Sequence, residues 1–182
     1  MRRLVHFSRS RMTAVRFTIG TNRRIMSRGL TIELLDPNRI DQAFPLARLA
    51  VPGLDLDAWR RFASAATIAA PFEIPRIAII AAANLRGYLQ GLCIYRIEPD
   101  LEHGASLSIE HFVALDLIDS AHVADELVRA LEQEGRRHGC RAMKTHLPQD
   151  LGDASAGARQ LFRILRRHGE ESAARHLLAT IA

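Results

Sequence analysis

The stretch "IEHFVALDLIDSAHVADELVRALEQEGRRHGC", residues 109–140, decides the fold. Its first third closes the run "ASLSIEHFVALDLI", residues 105–118, which alternates at first and is then continuously apolar. That is the pattern of a central strand. The rest is an amphipathic helix. Val123, Ala124, Leu127, Val128 and Leu131 form one apolar stripe, while Arg129, Glu132, Glu134 and Arg136 take the other side. Asp119 and Ser120 are N-cap types, and Asp125 and Glu126 put acid in the first turn. All four are expected to satisfy the helix start from within the chain. "HGC" with Gly139 ends the helix. "RAMKTHLP", residues 141–148, reads as the next strand, parallel to the preceding one across a right-handed crossover.

Upstream, "LTIELLD" is a first strand stopped by Asp-Pro. "NRIDQAFPLARLAVPG" has helical spacing at Ile40, Phe44, Ala47 and Leu49–Ala50, with Pro45 expected to kink the helix or mark its true start. A second helix follows in "LDLDAWRRFASAATIAA", with Asp55 or Asp57 as N-cap and Trp59, Phe62, Ala63 and Ala66 on one face. Two apolar runs, residues 76–82 and 88–97, flank "ANLRG" and predict a hairpin. Downstream, "DASAGARQLFRILRRHG" is a last helix with Leu161, Phe162 and Leu165 inward. "SAARHLLATIA" suits a closing strand or more helix equally. The expected order is β-α-α-β-β-β-α-β-α-(β), a mixed α/β (α+β) domain with a mostly antiparallel central sheet flanked by helices.

Length and composition agree with one such domain. The chain has 182 residues, 48% of them hydrophobic, which is enough for one sizeable core. No run approaches the roughly 18 apolar residues of a membrane helix. The net charge of +5 belongs to the start of the chain: residues 1–28 carry eight arginines and no acid, and the remainder holds 17 basic against 20 acidic residues. The domain at 29–182 is thus slightly acidic, and no nucleic-acid face is expected on it. Residues 1–28 read as a disordered basic tail, a targeting segment, or translated sequence upstream of a start at Met26. Cys93 and Cys140 sit in apolar or turn settings and are expected to be buried thiols in a reducing cytoplasm.

The element order, together with the 109–140 stretch, "LRGYLQGLCIY" and "LFRILRRHGE", resembles the GNAT acetyltransferase superfamily over residues 30–182. The resemblance implies a GNAT-like domain that takes acetyl-CoA or another acyl-CoA as acyl donor and an amine, small-molecule or protein, as acceptor. It implies that the donor's pantetheine arm pairs with strand backbone around Val113, Ala114 and Leu115. The pyrophosphate would rest on the amides of Ser120, Ala121, His122, Val123 and Ala124, where a helix N-terminus favours an anion. A homodimer is one expected form.

The family's phosphate loop reads Q/R-x-x-G-x-G/A, and here it falls on residues 119–124. Ala124 satisfies it. His122 stands in place of the first glycine, and Asp119 in place of the Arg or Gln. The second departure reverses a charge, and two unit charges about 4 Å apart interact by roughly 4 kcal/mol at an effective dielectric near 20. The Tyr that many members use to protonate the departing thiolate is also missing, because Phe162 or Leu165 takes its position and the chain's only tyrosines are Tyr88 and Tyr95. Glu110 occupies the position of the strand glutamate that serves the family as general base. His111 is a second candidate, placed on the opposite sheet face if the strand is regular. A catalytically silent binding or regulatory module on the same fold is the competing expectation.

The eight histidines show no H-x-x-x-H or H-E-x-x-H spacing, so no metal site is expected. No G-x-x-x-x-G-K-S/T or G-x-S-x-G occurs. The two glycines of "GYLQG" read as a bulge or a close backbone approach.

Overall fold

The computed structural model describes residues 25–27, 29–68, 76–115, 122–146, 159, 161, 169–171 and 176–180. They build one eight-stranded sheet. Its strands in chain order are β1 (Ile25–Ser27), β2 (Leu30–Leu34), β3 (Arg76–Asn84), β4 (Leu89–Asp100), β5 (Gly104–Ala114), β6 (Ala142–His146), β7 (Gly169–Glu171) and β8 (His176–Thr180). Across the sheet they run β1-β2-β3-β4-β5-β6-β8-β7. Every neighbouring pair is antiparallel except β5 and β6, the pair joined through α3 (His122–Arg137). The mixed, mostly antiparallel architecture expected from the sequence is therefore present, and the "HLLAT" segment is a strand.

Each sheet face carries its own core. On one face α3 buries Val123, Ala124, Leu127, Val128 and Leu131 against Cys93, Tyr95, Ile97, Leu107 and Ile109. Full burial of one such aliphatic side chain is worth about 1.5–3 kcal/mol, so the stripe read from the sequence holds the crossover in place. On the other face lie α1 (Ile40–Ala50) and α2 (Leu56–Ile68), packed on Ile79, Ala81, Leu92, Ile94 and Val113. Asp55 is the N-cap of α2, accepting from Ala58 N at 2.8 Å. Trp59 ties the two helices together, since its Nε1 donates to the Ile40 carbonyl at 2.7 Å.

Local chemistry sets the turns. In "ANLRG" the Asn84 side chain accepts from the amides of Arg86 and Tyr88, both at 3.0 Å, and Gly87 adopts φ 82°. Gly91 is the close approach that "GYLQG" suggested. A Cβ there would lie 2.7 Å from Leu127 Cδ1 and 2.8 Å from Val123 Cγ1.

Several details differ from the sequence reading. Strand β1 lies inside the segment assigned to the tail, and it pairs with β2 in a hairpin. The helix α1 starts at Ile40 and runs through Pro45, so the proline does not mark its start. Leu49 is 54% exposed and Phe62 36%, because the buried stripes use Ala43 and Leu46 in α1 and Trp59 and Ala63 in α2. Tyr88 lies outside β4, exposed in the turn. Strand β7 was not anticipated. Most of the expected last helix lies outside the described residues; Arg159 and Leu161 are helical, and Leu161 is buried in the α3-side core.

The β4–β5 turn is held by Asp100. Its Oδ1 accepts from His103 N at 2.8 Å, Glu102 N at 3.0 Å and His103 Nδ1 at 2.9 Å, and its Oδ2 pairs with Lys144 of β6. Lys144 first, then His103, hold this carboxyl well below the usual carboxylate range. A depressed folded-state pKa stabilises above the unfolded value of about 3.9 and loses that contribution as pH falls through the folded value. Asp100→Asn should therefore lower stability at pH 7, and its deficit against wild type should shrink below about pH 4. Urea denaturation at the two pH values checks this, and an equal deficit at both would rule out the ionic contribution.

Candidate functional site

The site starts where β5 and β6 part. Their parallel register pairs Ser106 with Ala142, Leu107 with Met143, Ser108 with Lys144 and Ile109 with Thr145, and stops there. Strand β5 continues to Ala114 with β4 on its other edge. Leu115 N donates to Gln90 O at 2.7 Å. Backbone groups alternate along an antiparallel strand, so those of Val113 and Leu115 face β4. The N–H and C=O of Phe112 and Ala114 face the edge that β6 has left, without a strand partner among the described residues. An extended ligand carrying amides can pair with that edge as a further strand would. Of the three backbone positions expected to hold the donor's arm, Ala114 has its backbone groups toward the open edge. Val113 and Leu115 have their backbone groups committed to β4. Phe112 faces the same open edge as Ala114.

A β-bulge sits at the point of divergence. Ile94 of β4 pairs with His111, and the next residue, Tyr95, pairs with Ile109, so Glu110 is the extra residue. The bulge reverses the alternation of the strand. Leu107 and Ile109 face α3, and beyond the bulge so does Phe112, while Val113 packs with the α1/α2 core. His111 lies directly across from Ile94, which belongs to that same α1/α2 core. Glu110 reaches Arg96, also on that face: its Oε1 accepts from Arg96 Nε at 2.8 Å and pairs with Nη2 at 2.7 Å. Glu110 and His111 thus share one face. The expectation that they point to opposite faces fails because the strand is not regular there.

At the mouth of the gap, α3 begins with His122, half-buried, followed by Val123 and Ala124 in the core. Asp119, Ser120 and Ala121 lie outside the described residues. Asp125 remains in the first turn. Glu126, expected to serve the helix start, is buried and directs its carboxylate to Arg129 at 2.5 Å. Three residues on along the helix, Arg129 Nη1 is within reach of that carboxylate.

Tyr95 cannot replace the missing proton donor. Its ring is buried in the α3-side core, and burial first, then the nearby Glu134 charge, push the phenol's pKa up. Cys93 and Cys140 are free, buried thiols whose pKa values burial likewise raises. Among the described residues no group of three or more His, Cys, Asp or Glu is arranged to hold a metal ion, and no helix is long and apolar enough to cross a membrane.

No family model matches the sequence, and no curated protein matches it significantly. Solved structures do match in three dimensions. Aminoglycoside N-acetyltransferase AAC(6')-Iy, solved with a CoA-containing bisubstrate analogue, superposes with a TM-score of 0.65 at 18% identity, over 80% of this chain and 93% of that one. The aminoglycoside 6'-N-acetyltransferase AAC(6')-Ih of Acinetobacter baumannii gives a TM-score of 0.65 at 13% identity, over 80% and 95%. A mutant form of the spermidine N-acetyltransferase SpeG of Vibrio cholerae gives 0.60 at 10%, over 84% and 94%. At such identities the likeness is one of fold. The chain has the fold of the GNAT N-acetyltransferase superfamily.

Proposed function

We propose that the protein is an acyl-CoA-dependent N-acyltransferase, moving an acyl group from acetyl-CoA or a related thioester to an amine. The observation that carries this reading is the open β5 edge. Among the described residues, Phe112 and Ala114 present backbone groups without a strand partner where β5 and β6 separate, beside two side chains able to handle a proton. These groups fit an amide-bearing pantetheine arm. The bound thioester supplies an activated acyl carbon. The chain's own residues supply the rest: Phe112 and Ala114 orient the arm, and the amides at the start of α3, from His122 to Ala124, favour the anionic end. Glu110 and His111 are the candidates to hold or accept the amine's proton. The acceptor is a small-molecule or protein amine. Two buried free thiols support a reducing, cytoplasmic setting.

A second reading, a silent binding or regulatory module on this fold, is favoured by one observation: Tyr95 is locked inside the α3-side core, so neither its phenol nor the exposed Tyr88 serves a leaving thiolate from the expected position. Acetyl-CoA titration separates the two. A ligand at 100 times its dissociation constant stabilises by about 2.7 kcal/mol, so the melting temperature should rise by several degrees. No shift at millimolar acetyl-CoA ends the first reading, and a clear shift together with release of the free CoA thiol on addition of amines ends the second. Asp119→Arg combined with His122→Gly should strengthen the shift by restoring the loop chemistry.

A further inference from the structure

We propose that His111, and not Glu110, accepts the proton of the acceptor amine, and that Glu110 clamped by Arg96 is a positioning residue. This rests on the acyltransferase reading above. Three observations carry it. The bulge turns Glu110 and His111 onto one face, immediately past the last β5–β6 pair at Ile109 and Thr145. Both side chains therefore stand where an amine approaching an acyl group held in the gap has to arrive. The Glu110 carboxylate is already engaged, with Oε1 accepting from two nitrogens of one guanidinium. A carboxylate in a two-point charge-assisted contact is oriented well, and it cannot take up a proton without weakening that contact. His111 is half-buried and makes no side-chain hydrogen bond or ion pair among the described residues.

The surroundings suit this division. Among the described side chains, the charged neighbours of His111 on its face are Arg96 and Glu110, with Lys144 of β6 one row further on, paired with Asp100. The helices covering the face turn apolar side chains to it, among them Ala43, Leu46, Ala47 and Trp59. Imidazole is the side chain whose ordinary titration lies nearest neutrality. In the proposed step the amine nitrogen forms a bond to the acyl carbon as the carbon–sulfur bond breaks. The proton leaving the nitrogen goes to the unprotonated nitrogen of His111, and the electron pair of the broken bond leaves on sulfur as the CoA thiolate. The Glu110–Arg96 pair fixes the strand bend that aims His111.

Two measurements test this. Diethyl pyrocarbonate modification of His111, followed by peptide mass spectrometry, should slow at least about tenfold when acetyl-CoA is saturating. Calorimetry on the same samples reports binding separately. With a panel of small amines, kcat/KM expressed per free-base amine, so that the acceptor's own deprotonation drops out, should rise with pH. His111→Asn should lose that limb and fall by about 10²–10⁴-fold, the usual contribution of a general base. Glu110→Gln should keep the limb and act mainly on KM. Binding heat with His111 labelled at an unchanged rate overturns this assignment and leaves the acyltransferase reading standing. So does a His111→Asn variant, folded by circular dichroism, that retains rate and limb, or a Glu110→Gln variant that loses the limb. Absence of binding heat overturns both.

Discussion

Trp59→Ala is expected to destabilise the protein by about 3–5 kcal/mol, the usual cost of removing a fully buried tryptophan. The side chain is 1% exposed, and its indole N–H is bonded to the Ile40 carbonyl. Truncation opens a cavity between α1, α2 and the sheet and also leaves that carbonyl without its indole partner. Trp59→Phe fills most of the volume and removes only the hydrogen bond, so it should cost about 1–3 kcal/mol. Trp59 is the chain's single tryptophan, so denaturation has to be followed by far-ultraviolet circular dichroism. A cost under 1 kcal/mol for the alanine variant would mean that α1 and α2 are not held as described. The consequence reaches the site, because these helices cover the face that carries Glu110 and His111.

Gly91→Ala should cost about 1–3 kcal/mol, as overpacking does in a filled core, and Gly91→Val more. The added Cβ meets Leu127 Cδ1 and Val123 Cγ1 below 3.0 Å and has Val113 O at 3.3 Å. Leu127 could swing only by leaving a fully buried position, and Val123 is β-branched and stiff. The clash pushes α3 away from the sheet at its first turns, so under the proposed acyltransferase function acetyl-CoA affinity should fall together with stability. Leu127→Ala combined with Gly91→Ala should be less destabilising than the sum of the single changes, since it removes the atom in the way. Strict additivity in that cycle would show that the glycine is not required by this contact.

Much of the fold was legible because it follows short-range rules. The α3 stripe has helical period, and "ANLRG" between two apolar runs carries the asparagine and glycine that its turn uses. Both readings of "GYLQG" hold: Gly91 is a close approach, and the β3–β4 register slips beside it, with Ala82 paired to Gly91 and Ala83 to Leu89. Leu49 and Phe62 were misjudged because packing of α1 on α2 rotates each stripe, and periodicity measures a spacing but not a phase against a partner. Strand β1 and strand β7 are three residues each, too short to carry a pattern of their own.

The site was less legible. Apolar residues occupy 105, 107 and 109 and then 112–115 without a break, so the bulge at Glu110 leaves no change of phase to read. Arg96 left no trace either, because its partnership with Glu110 arises from register across two strands.

By itself the sequence determined most of the strands and helices, their order, and which family pattern they resemble. Those properties rest on local propensity and on the need to bury one face of each element. Only the tertiary structure decided which backbone groups of β5 face away from β4 past the last β6 pair, that Glu110 and His111 share a face, and that Arg96 holds one of them. The physical reason is that hydrogen-bond register and its single extra residue depend on what β4 and β6 offer on either side, and no residue of β5 states that alone.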